Sequence, residues 1–421
     1  MAGRESRSVF SRAMLLLMAL AVSGALAFGD ARSDQSIRVG LCYGPGCAKT
    51  VSLSGIGEWR AERGRGALDA DAVVTAREGQ LVLRVDGRQG RVGRWVEAWP
   101  TGEDSWLMMD GQAYRGTIRI ELQRGDGLKV VNQVELEDYV RGVVPNEMFA
   151  DGGGYRVQAV IARTYALYVR DLEKKHAADG FDICATGHCQ VYRGVDSEKP
   201  DSDAAVAETR GQVLTYRGRP IFSAYHSNAG GETETVDEAW PGSIRSDFPY
   251  LPRVASPYDD TSKSLPGYEW CWQWERGVTK EEIRKRLAAS GRDVGTVRDL
   301  LVRRKTESGR VRELEVVGSR GRASVSRPQE VEDLLGTPSA LFDLRKNGDE
   351  YVAVGSGHGH GVGLSQHGAL GMARAGYTYE EILGHYYRGV ELTEDYGRGR
   401  SRRLAPPDLS RGAKVTAATT R

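Results

Sequence analysis

Glu147 lies in the stretch Val143-Val144-Pro145-Asn146-Glu147-Met148-Phe149, flanked by apolar residues and followed by a glycine run, Gly152 to Gly154. A carboxyl held against apolar groups has its charged form disfavoured, so its pKa rises and it is equipped to serve as a general acid near neutral pH. The competing reading makes it a solvated or backbone-capping residue of the connector. Arg163 follows with Ala159, Ala162, Ala166 and Leu167 a helical turn away. Such small neighbours leave room for an anionic or hydroxyl-rich partner, and a structural salt bridge is the alternative.

Three further groups could carry chemistry. Cys184, His188 and Cys189, with His176 upstream, offer two thiolates and two imidazoles, the donor set of a closed tetrahedral zinc site. A Cys184–Cys189 disulfide uses the same thiols in an oxidising compartment. His358 and His360 fall on one side of an extended segment, with His367 in the first turns of a helix capped by Ser365. A catalytic metal is one reading of these three. Glycines at 357, 359, 361 and 363 suggest instead a closely packed backbone with His360 lining a cleft. Tyr225, His226, Ser227 and Asn228 precede the Gly230-Gly231 turn and Trp240. That mix of hydroxyl, amide and aromatic groups suits carbohydrate, and the bland alternative is a turn-rich loop supported by a buried tryptophan.

These residues need a scaffold. From about Ile37 to Val131 the chain reads as β structure, with "TIRIEL" and "LKVVN" joined by an Asp-Gly turn. Leu136, Tyr139, Val140 and Val143 then repeat at helical spacing, with Pro145 expected to end that helix. A longer helix starts near Tyr155, its apolar stripe formed by Val157, Val160, Ile161, Thr164, Leu167 and Tyr168. Glu147 falls in the connector between the two. "VLTYRGRPIFSAYHS" and "RELEVVGSRGRASV" read as strand pairs. Thr279 with Glu282 and Thr378 with Glu381 are capping boxes, the second helix being expected to end at Gly389.

The expected class is α+β: a β-rich part over residues 28–113, then a mixed helix and strand core over 114–396 carrying a cleft. Residues 1–27 read as a cleaved export signal, with arginines, an apolar run and a small-x-small site at Ala25-Leu26-Ala27. Residues 397–421 read as a disordered basic tail. A net charge of +1 argues for neither nucleic acid nor membrane lipid as partner. Among the five cysteines, Cys42 with Cys47 forms another local pair, and Cys271 is left over.

Taken in order, "VNQVELEDYVRGVVPNEM", "QAVIARTYAL", "CQVYRG", "NAGGETE", "FPYL" and "GHGVGLSQHGALGMARAGYTYEEILGHYYRGVEL" resemble the SpoIID/LytB family, that of stage II sporulation protein D. The likeness runs from about Tyr114 to Leu392. It implies a peptidoglycan lytic transglycosylase acting on glycan strands without stem peptides, exported to the periplasm or cell-wall space, needing no cofactor for its chemistry. The family's catalytic glutamate falls on Glu147. Substrate contacts fall on Arg163 and Tyr250, and we add Tyr225, His226, His360 and Gln366. Phe149 and Pro252 stand where the family often has proline and lysine, with Arg253 offered as a replacement cation. The resemblance also favours a structural zinc on Cys184, His188 and Cys189, with His176 as fourth ligand.

Hydrolysis of a glycoside ordinarily uses two carboxylates. One suffices if the sugar's own 6-hydroxyl attacks C1, giving a 1,6-anhydromuramyl end. Glu135, Glu137 and Asp138 are the candidates for a second carboxylate should the reaction be hydrolytic. Two rivals stand beside the lyase: a non-catalytic wall-binding protein that recruits or stimulates a cell-wall amidase, and a metallohydrolase built on His358, His360 and His367.

Overall fold

A computed structural model describes residues 35–148, 151–396 and 400–409. The expected export signal, Phe149 and the tail residues 397–399 and 410–421 lie outside the described residues. Along Thr117–Leu122 the apolar residues alternate, so Ile118, Ile120 and Leu122 turn inward while Arg119 and Glu121 face out. This strand pairs antiparallel with Leu128–Glu135, Ile120 opposite Val130, across a turn at Arg124–Asp126. The pair lies within a seven-stranded sheet. At one edge of that sheet Ile183–Cys184 joins in parallel beside Ser36–Cys42. A six-stranded antiparallel sheet between Thr50 and Tyr114 contributes to the same core. The fold is α+β.

Helices follow directly: α1 (Leu136–Arg141), α2 (Val144–Glu147) and α3 (Gly152–Tyr168). Pro145 does not end the first helix as expected. It sits in the first turn of α2, where its missing N–H has no partner to lose and its fixed φ suits the start of a helix. The expected single stripe on α3 is likewise too narrow. Ala159, Ala162 and Ala166 pack into the core shared with the sheets, while Val157, Val160 and Ile161 pack into a second core with Leu251, Leu364, Leu370 and Ile382. A helix covered all round is the internal pillar of a fold.

Among the described residues the core is continuous across residues 113 and 114, where the β-rich part was expected to end. The first core runs unbroken from Ile37 through Tyr139 to Val213, and residues from Ser36 onward form one compact unit. A third core, from Trp274 to Ala353, is built from two three-stranded sheets and the helices Lys280–Ala289 and Pro328–Leu335. Both capping boxes form. The last helix, Tyr379–Tyr386, stops before Gly389 because Tyr387 already has extended backbone. The tail is not wholly unstructured either, since Ser401–Arg403 pairs with Glu391–Thr393. The local pair Cys42–Cys47 is a disulfide.

Candidate active site

Glu147 closes the single turn of α2, and Met148 leaves it in extended conformation with its side chain buried. One carboxylate oxygen, Oε1, accepts the backbone N–H of Val191, and the Tyr225 hydroxyl is also hydrogen-bonded to the carboxyl. Tyr225 in turn accepts from Gln190 Nε2 at 3.3 Å, and Gln190 accepts from the Tyr139 hydroxyl at 3.0 Å. From the other side Gln366 Nε2 donates to the Glu147 carbonyl at 2.6 Å and to Gln158 Oε1 at 3.2 Å. Burial pushes the Glu147 carboxyl above the ordinary carboxylate range, and the Val191 and Tyr225 hydrogen bonds pull it part of the way back. Among the described residues no second carboxylate shifts it. Such a group can hold a proton, deliver it and take one up again.

The glycine-rich segment brings three of the other candidates to the same place. Tyr225 and His226 pair in parallel with Leu364 and Ser365, and Asn228 bridges to His358. A Cβ on Gly361 would meet the Arg310 guanidinium carbon at 2.6 Å, and one on Gly363 would meet the Ala224 carbonyl oxygen at 2.1 Å. Both also have positive φ, so the close approach and the backbone conformation each require glycine. His360 accepts the Val362 N–H at Nδ1, 3.0 Å, and lies tilted against Trp240 and His226 with ring centroids 4.7 Å and 5.4 Å away. Burial lowers its pKa to about 4, so it is neutral at ordinary pH. His226 meets the Val362 carbonyl through Nδ1, and its Nε2 is buried with no partner among the described residues.

His358, His360 and His367 do not gather as metal ligands. Among the described residues the potential metal group is a different one, and His358 faces Trp270 while His367 faces Tyr268. The metallohydrolase reading is therefore set aside on geometry.

Arg163 is also placed otherwise than expected. Its side chain is 0% exposed, with Nε and Nη2 bonded to the two oxygens of Glu137 at 2.8 and 2.6 Å. Nη1 donates to the carbonyls of Gln212 and Ala159. This is the structural salt bridge, joining α1 to α3, with no face left for a substrate. Glu137 is committed to the same pair and to the Gly211 N–H, and Asp138 lies 3.5 Å from Arg141. Tyr250 is buried, its hydroxyl accepting the Phe222 N–H at 3.0 Å, so it braces the segment leading to Tyr225 instead of lining an open cleft. Arg253 is engaged by Glu232 and Glu307.

Cys184 and Cys189 are free thiols, not a disulfide. With His176 and His188 they bring one ligand atom each to within 4.8 Å of one another. His176 turns Nε2 towards Cys189 Sγ, 3.4 Å, while Nδ1 meets the Asp179 carboxylate at 2.9 Å. A carboxylate behind a ligand imidazole fixes its tautomer and orientation, as around structural zinc. The donor set and its spacing fit that metal. Val191 and Gln190, which the sequence reading did not single out, follow directly on Cys189; the signal available was their place inside the "CQVYRG" motif.

The arrangement is that of an acid/base site: one buried carboxyl in an α+β fold, beside a tyrosine, a glutamine relay and a thiol–imidazole cluster. A family model, "Stage II sporulation protein", matches residues 124–216, and a domain of unknown function (DUF8618) matches residues 259–363. The chain is 30% identical over 280 residues to stage II sporulation protein D of Bacillus subtilis, covering 63% of this chain and 76% of that protein. It is 29% identical over 336 residues to an uncharacterized protein of Brachyspira hyodysenteriae, 77% and 85% covered. It is 30% identical over 331 residues to the amidase enhancer of Bacillus subtilis, 68% and 45% covered. The chain belongs to the stage II sporulation protein D family.

Proposed function

We propose that this protein is an exported peptidoglycan lytic transglycosylase that cleaves glycan strands lacking stem peptides. The observation that carries the reading is the Glu147 carboxyl, raised by burial and held by the Val191 N–H and the Tyr225 hydroxyl, with no other carboxylate shifting it among the described residues. A two-carboxylate hydrolase needs a partner placed to activate water. A lone acid suits intramolecular attack. Protonated Glu147 gives its proton to the glycosidic oxygen as the bond to C1 breaks. The resulting carboxylate, stabilised by the Val191 N–H and the Tyr225 hydroxyl, then takes the proton of the 6-hydroxyl as that oxygen closes on C1. No water is consumed, and Glu147 ends protonated as it began. Gln366 fixes the backbone of Glu147, and the half-buried His360 stays neutral to meet sugar hydroxyls, with His226 buried behind it.

Cys184, His188, Cys189 and His176 would hold a structural zinc, which supplies a fixed crosslink and takes no part in the chemistry. These residues order the 184–191 loop and so the Val191 N–H that Glu147 uses. Metal analysis of purified protein is expected to find about one equivalent of zinc, lost with partial unfolding in Cys189→Ser.

The amidase enhancer likeness supports a second reading, a wall-binding protein that stimulates an amidase. Glu147→Ala separates the two. The lyase reading requires a folded variant that yields no anhydromuramyl product, while the second is favoured if the wild type yields none and stimulation of an amidase survives the substitution.

A further inference from the structure

Among the described residues five large hydrophobic side chains are exposed, and two of them, Tyr268 at 40% and Trp270 at 37%, lie two positions apart. They belong to neither a core nor a loose loop. Leu265, Cys271 and Trp274 of the same segment are buried, the Cys271 carbonyl accepts the Gly357 N–H at 2.9 Å, and the Trp274 indole donates to the Gly357 carbonyl at 2.9 Å. Between these anchors the Trp270 indole N–H is satisfied by the Gly267 carbonyl at 3.0 Å, which fixes the ring. Trp270 rests against His358, centroids 4.9 Å apart, and Tyr268 against His367, 5.6 Å.

Both histidines tie this patch to the candidate active site. His367 follows Gln366, which holds the Glu147 carbonyl, and its N–H is donated to the Ser227 carbonyl. His358 exchanges backbone hydrogen bonds with Asn228, at most about 10 Å of extended chain from Tyr225. The aromatic pair is therefore connected through both histidines to the segments that hold Glu147 and Tyr225. Rigid aromatic faces in this setting cover the apolar face of a sugar ring at low entropic cost, and the histidines beneath them hold the rings in place, His367 being buried with Nδ1 at 3.4 Å from Asn228 Nδ2.

We infer that Tyr268 and Trp270, supported by His358 and His367, form a remote glycan subsite that stacks a sugar of the strand away from the bond being cut. The inference rests on the reading of Glu147 as the acid of a glycan-cleaving site, and it makes the 259–363 region the part that holds long strands in register. Affinity should then grow with strand length.

The test uses the full chain carrying Glu147→Gln, which binds without cutting, titrated by calorimetry with peptide-stripped glycan of short and long defined lengths. Adding Trp270→Ala is expected to weaken long-strand binding by about tenfold and to leave the shortest oligomers little changed. Trp270→Phe should restore most of the loss, and Ile56→Ala, at another exposed hydrophobe in the β-rich part, should cause none. Unaltered long-strand affinity in Trp270→Ala, while the parent chain still binds and the wild type still cleaves, overturns the subsite and leaves the proposed activity standing. A parent chain that binds no glycan of any length overturns both. Unchanged glycan affinity with lost amidase stimulation also overturns it, making the patch a protein-docking surface.

Discussion

Arg163 ties α1 to α3 by bonding both carboxylate oxygens of Glu137 and the Gln212 carbonyl. Replacing it with alanine removes a fully buried guanidinium and leaves Glu137, whose side chain is 16% exposed, without its counter-charge. Breaking a buried pair by deleting one partner costs about 3–5 kcal/mol, since the remaining charge is uncompensated. The Gln212 carbonyl loses a donor as well, and α3 loses packing volume beside Ala159 and Ala162. At about 2–4 °C per kcal/mol the melting temperature should fall on the order of 10 °C. Arg163→Lys keeps the charge but cannot bond both Glu137 oxygens and the Gln212 carbonyl together, so a smaller fall is expected. Differential scanning calorimetry and glycan titration of both variants decide the matter. A variant that melts with the wild type and binds glycan more weakly refutes the structural assignment and returns Arg163 to the substrate.

Glu147→Gln should abolish cleavage while raising the melting temperature near pH 7. The sign follows from the raised pKa: the folded state prefers the proton, so stability is lost as pH rises above the unfolded value of about 4.3, and a neutral amide escapes that loss. The gain should vanish in melts below pH 4. Tyr225→Phe removes a hydrogen bond that favours the Glu147 carboxylate, so the alkaline limb of the activity profile, where the acid loses its proton, should move to higher pH; a limb that moves down contradicts the role given to Tyr225. Gly361→Ala should destabilise strongly, because the methyl meets Arg310 and φ is positive; calorimetry showing wild-type melting would refute that packing.

Some of this was legible in the sequence for identifiable reasons. The zinc-type cluster is local, three of its four residues falling within one turn-rich segment, and the glycines of 357–363 announce close packing by type alone. The β alternation of 117–135 and both capping boxes are local signals too. What local composition could not decide depends on distant partners. Glu147 finds Val191 44 positions away, and Arg163 finds Glu137 26 positions back, so the choice between each residue's two readings lay outside its sequence neighbourhood. Tyr250 matched a motif, yet its hydroxyl serves the Phe222 backbone. The continuity of one core across residues 113 and 114 was not legible either, since its members lie far apart in sequence.

The central claim is that one buried carboxyl performs both proton transfers without water. Peptide-stripped glycan digested in heavy-oxygen water and analysed by mass spectrometry tests it directly. The expected products are 1,6-anhydromuramyl ends with no heavy oxygen incorporated, formed by the wild type and absent with Glu147→Gln. Reducing muramic ends carrying the label, or the same products from Glu147→Gln, would contradict it.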